Sequence, residues 1–383
     1  MLAVSLGVGF IVPMLPIYAE TMGASGTVIG LIFGVNPLAR SFLQVFFGRL
    51  ADRTGMKKLL LIGLFGYALV ALGFLVSANP WHLVAWRFAQ GAFGSMVQPI
   101  AMAYAGLITP TGHEGKVMSV FNLSFFAGFA VGPMAGGVLT DQWGPSAPFL
   151  GMFAFSLVAL LLVLFAVPES QKASPGASKK VLVPFGVLLK DVTIQTVVLT
   201  RTFISMARGL FSVLLPLWAS THLGLPATTV GILVSSRAIG ESMLQPPFGV
   251  VADRVNRFHM ALVGLALSPL VLFTMARTAN FPQLLATIML LALSAGIAVP
   301  AATALSVERG RVLGMGSVMG INSTANSLGM FLGSVGSGLI MDLLSIERAF
   351  QAMGWLLCAG AIALAYLTFS SNVAQRSLEQ QQD

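Results

Sequence analysis

Most of the charged side chains within the apolar runs of this chain are arginines. Arg40, Arg201, Arg208 and Arg237, together with Glu241, lie inside long stretches of hydrophobic residues. A charge in the middle of a membrane helix costs about 2.5–3.5 kcal/mol on insertion scales. Each of these side chains should therefore face a wet cavity or a partner.

Arg237 and Glu241 are four residues apart and share one face of a predicted helix, so we expect them to pair. Glu241 is the one acid well inside a predicted span. It is the first candidate for a carboxylate that couples protons to solute movement, and a purely structural ion pair is the alternative. Arg208 is the expected solute contact, while Arg201 lies closer to one membrane surface and could simply extend to the headgroups.

The composition is that of a chain whose solvent is lipid. Of the 383 residues, 56% are hydrophobic and 9% are charged, with a mean hydropathy of +0.88. Soluble domains carry about 25% charged residues. The net charge of +8 comes from Lys and Arg spread over short loops, which favours membrane topology over nucleic-acid binding.

Signatures of enzymes and of metal or cofactor sites are missing from the sequence. It has no HExxH, GxSxG or Walker motif, and its four histidines are isolated near predicted helix ends. Cys358 is the single cysteine, which excludes an internal disulfide and a cysteine-based metal cluster. We therefore expect neither an enzyme nor a resident metal or cofactor.

Counting apolar runs of about 20 residues predicts an all-α integral membrane protein with twelve transmembrane helices. The predicted spans are 2–20, 27–48, 59–78, 82–107, 117–140, 145–168, 192–219, 226–249, 260–277, 283–306, 313–341 and 346–370. They form an N-terminal six-helix bundle over 1–168 and a C-terminal one over 192–370. A polar linker over 169–191 joins them, with a short apolar run at 181–189 expected at the membrane interface, and a tail follows over 371–383.

The basic residues predict which way the chain crosses the membrane. Fourteen of the 21 Lys and Arg fall in loops on one side of the predicted spans, and two, Arg277 and Arg348, fall on the other. Cytoplasmic loops carry the excess of Lys and Arg. We therefore expect a multi-pass protein of the cell membrane with both termini in the cytoplasm.

The two halves repeat. The stretch Gly48-x-x-x-Asp52-Arg53 recurs as Gly249-x-x-x-Asp253-Arg254, 201 residues later. The same offset relates a further set of pairs: Gly23 and Gly224, Gly30 and Gly231, Gln44 and Gln245, Phe47 and Phe248, Gly128 and Gly329, Gly132 and Gly333, Gly137 and Gly338, Asp141 and Asp342. With six helices per half, this predicts a parallel repeat about an axis normal to the membrane and a central site between the halves.

The seventh predicted helix begins near Asp191, and the 201-residue offset places the equivalent position before Met1. The first predicted helix therefore lacks N-terminal residues that the seventh has. Either the native chain starts upstream of Met1 or the first helix barely spans.

Three motifs carry a resemblance to a known family. The first is the charged turn between the second and third spans, with Gly48, Asp52, Arg53, Gly55, Lys57 and Lys58. The second is Arg87-Phe-Ala-Gln90-Gly91 in the fourth span. The third is Gly128-x-x-x-Gly132-Pro133-x-x-Gly136-Gly137 in the fifth. The chain resembles a twelve-helix member of the major facilitator superfamily, and within it the drug:proton antiporter group.

The resemblance implies roles for these motifs. Asp52 should dock at the N-terminus of the eleventh span, near residues 314–317, where the helix dipole favours a carboxylate by about 0.3–2 kcal/mol. Gly48, Arg53, Gly55, Lys57 and Lys58, with the second copy Gly249, Asp253 and Arg254, would complete this conformational latch. Arg87 is implied in proton coupling and the glycines of the fifth span in antiport, with headgroup contact and helix packing as the respective alternatives.

The sequence thus predicts a secondary transporter that works by alternating access, as a monomer, on a small solute with protons as the coupling ion. Proton-coupled efflux of a hydrophobic or drug-like compound is the favoured mode. The alternative is uptake or facilitated diffusion of an organic anion, because the arginines outnumber the acids in the spans; a receptor or membrane enzyme is a remote third reading. The candidate cavity residues are Arg208, Arg40, Gln90, Phe125, Asn122, Pro16 and Pro216.

Overall fold

The computed structural model describes residues 1–109, 113–169 and 191–379, with the side chains of residues 49, 52, 53, 114, 115 and 370–379 left out of that description. Most of the predicted linker and the apolar run at 181–189 lie outside the described residues. The described chain is helical and contains no strand. We number its helices so that α1 and α7 each include a local break.

The first six helices alternate in direction across the molecule. They are α1, formed by Leu2–Ile11 and Met14–Thr21, α2 (Gly26–Thr54), α3 (Met56–Leu75), α4 (Pro80–Ile108), α5 (Glu114–Trp143) and α6 (Ala147–Ala166). The next six are α7 (Val192–Leu217, continued by a π-helical turn over Trp218–His222), α8 (Ala227–Ala252), α9 (Arg257–Met275), α10 (Phe281–Leu313), α11 (Met315–Leu343) and α12 (Ile346–Glu379).

Ten of these helices are long and apolar enough to cross a membrane, namely α1 to α7, α9, α10 and α12. The other two predicted spans are present as helices, but α8 and α11 are too polar to meet that criterion. Arg237 and Glu241 lower the hydropathy of α8, and glycine, serine and asparagine lower that of α11. Both helices turn polar faces toward other helices, so their sequences need not match lipid.

The charged stretch over 48–58 was predicted as a tight turn, and this prediction is wrong for most of its length. Helix α2 continues to Thr54, and α3 begins at Met56. Gly55 alone reverses the chain, with φ of 99°, a conformation that only glycine adopts readily. Arginine, leucine and alanine are good helix formers, so a helix that leaves the apolar layer need not stop there.

We call the end of the molecule that carries Gly55, Lys57, Lys58 and Arg254 the basic end. The opposite end, which carries Asp141 and Asp342, is called the acidic end. Lys57 donates a hydrogen bond to the carbonyl of Leu164 at the end of α6, at 2.9 Å. Large apolar side chains such as Phe65, Phe165 and Trp355 are more than half exposed on the outside of the helices, as expected where lipid replaces water.

Glycines allow α5 to pack closely on two neighbours, as the sequence predicts. A side-chain carbon added at Gly132 would lie 2.8 Å from the Cα of Gly9 in α1, and one added at Gly136 would lie 2.1 Å from the carbonyl oxygen of Phe10. On the adjacent face, a carbon added at Gly137 would lie 2.3 Å from the carbonyl oxygen of Ala227 in α8. Larger residues at these positions would push the helices apart.

Candidate solute-binding site

A cavity of about 460 Å³ lies between the first six and the last six helices. Residues of both sets line it. Its polar wall is formed by Ser5, Asn36, Arg40, Ser41, Gln44, Tyr67, Arg87, Gln90, Gln98, Ser212, Arg237, Ser323, Asn326 and Ser327, and its apolar wall by Met1, Val4, Val8, Val12, Phe33, Pro37, Val97, Phe125, Phe129 and Met330. Among these described lining residues, three are arginines and none is Asp or Glu.

Arg87 on α4 is held in a fixed position by neutral partners. Its Nε donates to the carbonyl of Ile32 at 2.9 Å, and its Nη1 donates to the side-chain oxygen of Gln90 at 2.6 Å. The guanidinium also lies 5.0 Å above the ring of Phe33. Arg87 is 6% exposed, so the alternative in which it extends to the headgroups is wrong. Its positive charge is directed at the cavity without a carboxylate partner among the contacts described.

The amides around Arg87 complete this cluster. Asn36 on α2 donates to the side-chain oxygen of Gln90 at 3.3 Å and to the carbonyl of Arg87 at 3.2 Å. Nearby, Arg40 donates to the side-chain oxygen of Gln98. Both arginines that line the cavity from the first six helices are therefore bonded to neutral oxygen atoms. A buried charge that is hydrogen-bonded but not neutralised attracts a counter-ion.

The charged cluster of the last six helices is built differently, because it contains a carboxylate. Glu241 on α8 accepts hydrogen bonds from Arg208 on α7, from Arg237 at 3.2 Å and from Gln245 at 3.3 Å. The predicted pair between Arg237 and Glu241 is present. The sequence did not predict Arg208 as the second partner of that carboxylate, since the two residues lie on different helices.

Arg201 on α7 and Asn322 on α11 form a further polar contact among the last six helices. Arg201 Nε donates to the Asn322 side-chain oxygen at 2.6 Å, and Ser205, one turn further along α7, donates to Asn326 at 2.7 Å. Arg201 is therefore bonded inside the helix assembly instead of extending to the headgroups. Asn326 and Ser323 also line the cavity, so α11 contributes polar groups that the sequence analysis did not single out.

Aromatic rings form part of the apolar wall. Phe125 and Phe129 lie one turn apart on α5 with ring centroids 5.0 Å apart. Both line the cavity beside Val8 and Val12 of α1. A solute bound here would contact guanidinium and amide groups on one side and apolar surface on the other.

The helices close tightly at the acidic end. Asp342 of α11 accepts hydrogen bonds from the N–H groups of Gly26 and Thr27 at the start of α2, at 2.5 and 2.8 Å. Asp141 of α5 accepts from the N–H groups of Ala227 and Thr228 at the start of α8, at 3.1 and 2.7 Å. Each carboxylate meets unpaired N–H groups and the positive end of a helix dipole.

These two capping contacts obey the repeat. Asp141 plus 201 is Asp342, and Gly26 plus 201 is Ala227. The sequence analysis noted the aspartates as a repeated pair but assigned them no contact. The signal was available, because an acidic residue at the end of one helix, facing the small first residues of another, is a typical capping arrangement.

Contacts between α2 and α11 continue from the acidic end into the half of the molecule nearer the basic end, where Gln44 Nε2 donates to Ser323 Oγ at 3.4 Å. A side-chain carbon added at Gly30 of α2 would lie 2.4 Å from the carbonyl oxygen of Ser334 in α11. Carbons added at Gly316 or Gly320, nearer the basic end of α11, would meet nothing within 4 Å. The contacts of Asp141 and Asp342 therefore close the cavity at the acidic end.

The structure describes only some of the side chains of the predicted latch at the basic end. The side chains of Asp52 and Arg53 lie outside the described residues, so the docking of Asp52 near residues 314–317 stays a prediction. A carbon added at Gly48 or Gly249 would meet nothing within 4 Å. In the second copy, Asp253 lies 3.6 Å from Arg257, while Arg254 is exposed.

The structure brings only some of the candidate cavity residues together. Arg40, Gln90 and Phe125 line the cavity, as do the proton-coupling candidates Arg87 and Arg237. The other candidates, Arg208, Asn122, Pro16 and Pro216, are not among the lining residues. Asn122 is an exposed residue of α5, and the two prolines are buried in the helix packing, where they accompany the break in α1 and the π-helical turn of α7.

Twelve helices around a polar cavity that is closed at one end define a multi-pass membrane transporter. The sequence model of the Major Facilitator Superfamily matches residues 1–207 and 197–382, and the chain belongs to this superfamily.

Relatives and solved structures agree with this assignment. The chain is 27% identical over 363 residues to multidrug resistance protein MdtG of Klebsiella pneumoniae, covering 92% of this chain and 86% of that protein. It is 25% identical over 364 residues to multidrug resistance protein 2 of Bacillus subtilis, covering 93% and 90%. A crystal structure of a mutant of the nucleoside transporter NupG superposes with a TM-score of 0.82 at 15% identity, covering 96% and 97%. That likeness shows the fold alone.

Proposed function

We propose that this chain exports small organic anions with an apolar body by alternating access at the central cavity. The observation that carries the proposal is the charge of the cavity wall: Arg40, Arg87 and Arg237 line it, and no Asp or Glu is found among the lining residues described. Guanidinium groups recognise carboxylate, sulfonate and phosphate groups through paired N–H donors. Phe125 and Phe129 supply the surface for the apolar part of the solute.

Export is the proposed direction for two reasons. The relatives reported above bear multidrug resistance names. In addition, the basic end carries most of the loop Lys and Arg and is therefore proposed to face the cytoplasm, which would place the closed acidic end on the outer side of the membrane. The two six-helix halves, joined by the linker over 169–191, would rock about the cavity to expose it to the other side.

Counterflow in proteoliposomes tests this proposal with three probes of similar shape but different charge. Naphthalenesulfonate is a permanent anion, naphthalenesulfonamide is neutral, and trimethylnaphthylammonium is a permanent cation. We expect vesicles preloaded with unlabelled sulfonate to take up labelled sulfonate at least about tenfold faster than they take up the cation under matched conditions.

The test variant is Arg237→Gln. Its matched control is Arg348→Gln, which changes an arginine on the exposed surface of the acidic end. We expect the first variant to lose sulfonate counterflow and the second to keep it. Equal uptake of anion and cation would contradict the anion specificity. Absence of protein-dependent uptake for all three probes would contradict transport of this solute class altogether.

The second candidate function is exchange of a largely apolar, uncharged compound for protons. The glycine and proline pattern of α5 favours it, since Gly132, Pro133 and Gly137 occupy the positions of the antiporter motif and pack against α1 and α8. Under this alternative, an imposed pH gradient would drive uptake of a neutral dye into inside-out vesicles, and Asp52→Asn would abolish that uptake. Transport indifferent to the gradient would rule the alternative out.

A further inference from the structure

Tyr67 reaches the cavity from a helix that otherwise does not line it. It is the one residue of α3 among the lining residues described, and the others lie in or directly before α1 and in α2, α4, α5, α7, α8 and α11. The side chain of Tyr67 is 8% exposed, so the cavity is the open space that it meets. A single phenol group thus enters the cavity wall from behind α4.

A glycine of α4 makes room for this phenol group. A side-chain carbon added at Gly94 would lie 2.6 Å from the hydroxyl oxygen of Tyr67 and 3.6 Å from its Cζ. The ring would therefore tolerate an alanine at this position, whereas the hydroxyl group would collide with it. The two helices are already in close contact, since a carbon added at Gly66 of α3 would lie 2.2 Å from the ring of Phe93. Gly94 is thus the position that accommodates the hydroxyl group itself.

The hydroxyl group of Tyr67 is an unused hydrogen-bond donor. It has no hydrogen-bond partner among the described residues. Tyr104, the other buried tyrosine of the first six helices, donates to the carbonyl oxygen of Pro168 at 3.0 Å. A buried tyrosine hydroxyl usually has a partner, because leaving it unpaired costs free energy. The Tyr67 donor is therefore available to a molecule in the cavity.

The groups on both sides of this hydroxyl carry positive charge. Gln90, Gly94 and Gln98 follow one another at four-residue intervals on one face of α4, which places the two amides about 12 Å apart along the helix axis. The Gln90 side-chain oxygen accepts a hydrogen bond from Arg87. The Gln98 side-chain oxygen accepts one from Arg40. Because guanidinium groups have donors and no acceptor, their field turns the hydroxyl oxygen toward them and leaves its hydrogen for an anion.

We propose that the hydroxyl group of Tyr67 donates a hydrogen bond to the acidic group of the bound solute, while Arg40 and Arg87 supply the attracting charge. The inference rests on the proposed function, because it assumes an anionic solute in the central cavity. Hydrogen bonds to a charged acceptor are roughly twice as strong as those between neutral groups. Tyr67 is therefore a residue that determines specificity for anions.

The hydroxyl group adds direction to the attraction of the arginines. Charge acts over several ångströms and sets the sign of the solute, whereas a hydrogen bond requires an acceptor atom within about 3 Å of the donor. A solute whose acidic group does not reach Tyr67 would keep the attraction and lose this bond. The pair of Tyr67 and Gly94 thus fixes where the acidic group lies in the cavity.

Removing the hydroxyl group alone tests the inference. Purified protein in detergent is titrated with naphthalenesulfonate, and calorimetry measures its affinity. Tyr67→Phe should bind the sulfonate about tenfold or more weakly, as expected for the loss of one hydrogen bond to a charged acceptor. The matched control is Tyr104→Phe, which removes a buried hydroxyl group that does not line the central cavity. This control should bind the sulfonate as wild type does.

Gly94→Ala tests whether the position of the hydroxyl group matters. In the presence of the hydroxyl group, the added methyl group should displace it and weaken sulfonate binding by a factor similar to that of Tyr67→Phe. In the Tyr67→Phe background the methyl group meets only the ring, so Gly94→Ala should change the affinity by less than about twofold. Melting curves should establish that every variant is folded.

Unchanged sulfonate affinity in Tyr67→Phe would overturn the inference and leave the proposed function standing. Equal weakening in Tyr67→Phe and Tyr104→Phe would show a general effect on packing and would also overturn it. The same holds if Gly94→Ala has one and the same effect with and without the hydroxyl group. If wild type does not bind the sulfonate, both the proposed function and this inference are wrong.

Discussion

Two polar clusters face each other across the cavity and handle buried arginines in opposite ways. On the first six helices, Arg87 and Arg40 are bonded to carbonyl and amide oxygens, so their hydrogen bonds are made while their charges stay uncompensated. On the last six, Arg208 and Arg237 share the carboxylate of Glu241. The described contacts of the first cluster contain no carboxylate, and those of the second contain one carboxylate between two arginines.

The difference arises at positions that the repeat makes equivalent. Arg40 plus 201 is Glu241, so opposite charges occupy corresponding places in α2 and α8. Asn36 corresponds in the same way to Arg237. The repeat preserves the glycines and aspartates that pack and cap the helices, while the residues around the cavity differ. The glycines and capping aspartates therefore follow the 201-residue offset, whereas the charged residues around the cavity do not.

The largest effect on either cluster is expected when the carboxylate of Glu241 is removed. Glu241→Leu would leave two arginines without their counter-ion, and we expect a loss of about 3–5 kcal/mol, the range observed when one partner of a buried ion pair is deleted. The measurement is the melting temperature in detergent, with Met243→Leu, on the exposed side of the same helix, as the control. If Glu241→Leu and Met243→Leu have the same melting temperature, the cluster does not contribute to stability.

The second prediction concerns a variant that gives the cluster of the first six helices a carboxylate, as the cluster of the last six helices has. Gln98→Glu would give Arg40 a carboxylate partner at the position where Gln98 now accepts its hydrogen bond. We expect naphthalenesulfonate to bind about tenfold more weakly, because the variant adds a negative charge to the cavity wall. Glu347→Gln is the control for a change in total charge. Unchanged or tighter binding would mean that Arg40 does not attract the solute.

Much of the helical framework was predictable because it follows from local patterns. The twelve apolar runs predicted the twelve helices, and the glycines of α5 predicted a close helix contact. Hydropathy fails at the ends of α2, α10 and α12, which run past their predicted bounds because nothing in those polar segments stops a helix. Hydropathy also fails to identify α8 and α11 as membrane spans, because their polar faces meet other helices instead of lipid.

The site was less predictable because its contacts join residues far apart in sequence. Glu241 and Arg237 share a helix face, so their pairing could be read from spacing. Arg208 reaches the same carboxylate from another helix through its long side chain, and only the folded arrangement of the helices brings the two groups together. Asn122 has the right chemistry for a cavity and lies seven residues before Phe129, on the same face of α5, but it is exposed and is not among the lining residues described.

A third prediction concerns the contacts that hold the cavity closed at the acidic end. Asp342→Asn and Asp141→Asn should each weaken a cap worth about 0.3–2 kcal/mol, so the double variant should open more often. The measurement is the rate at which an impermeant maleimide in the external medium labels Ser212→Cys, a cavity position, in a Cys358→Ser background. Labelling should accelerate in both single variants and most in the double variant. Glu347→Gln serves as the control at the same end, and an unchanged rate in the double variant would exclude these caps as determinants of closure.

The smallest effect is expected at the basic end, where an ion pair lies partly in water and has no counterpart at the cavity. Burial alone would raise the pKa of Asp191, but hydrogen bonds from Arg309 and from the N–H groups of Ile194 and Thr193 lower it. A lowered pKa stabilises the folded state above the unfolded value of about 3.9, and that contribution disappears as the pH falls.

Arg309 is 41% exposed, so screening limits the pair to about 0–1 kcal/mol. Arg309→Gln should therefore lower the melting temperature slightly at neutral pH and not at pH values below the pKa of Asp191. Glu241→Leu, in contrast, should remain destabilised across that range, because its two arginines stay charged. If the two variants showed the same pH dependence, the contrast between a solvent-screened pair and a buried shared carboxylate would be lost.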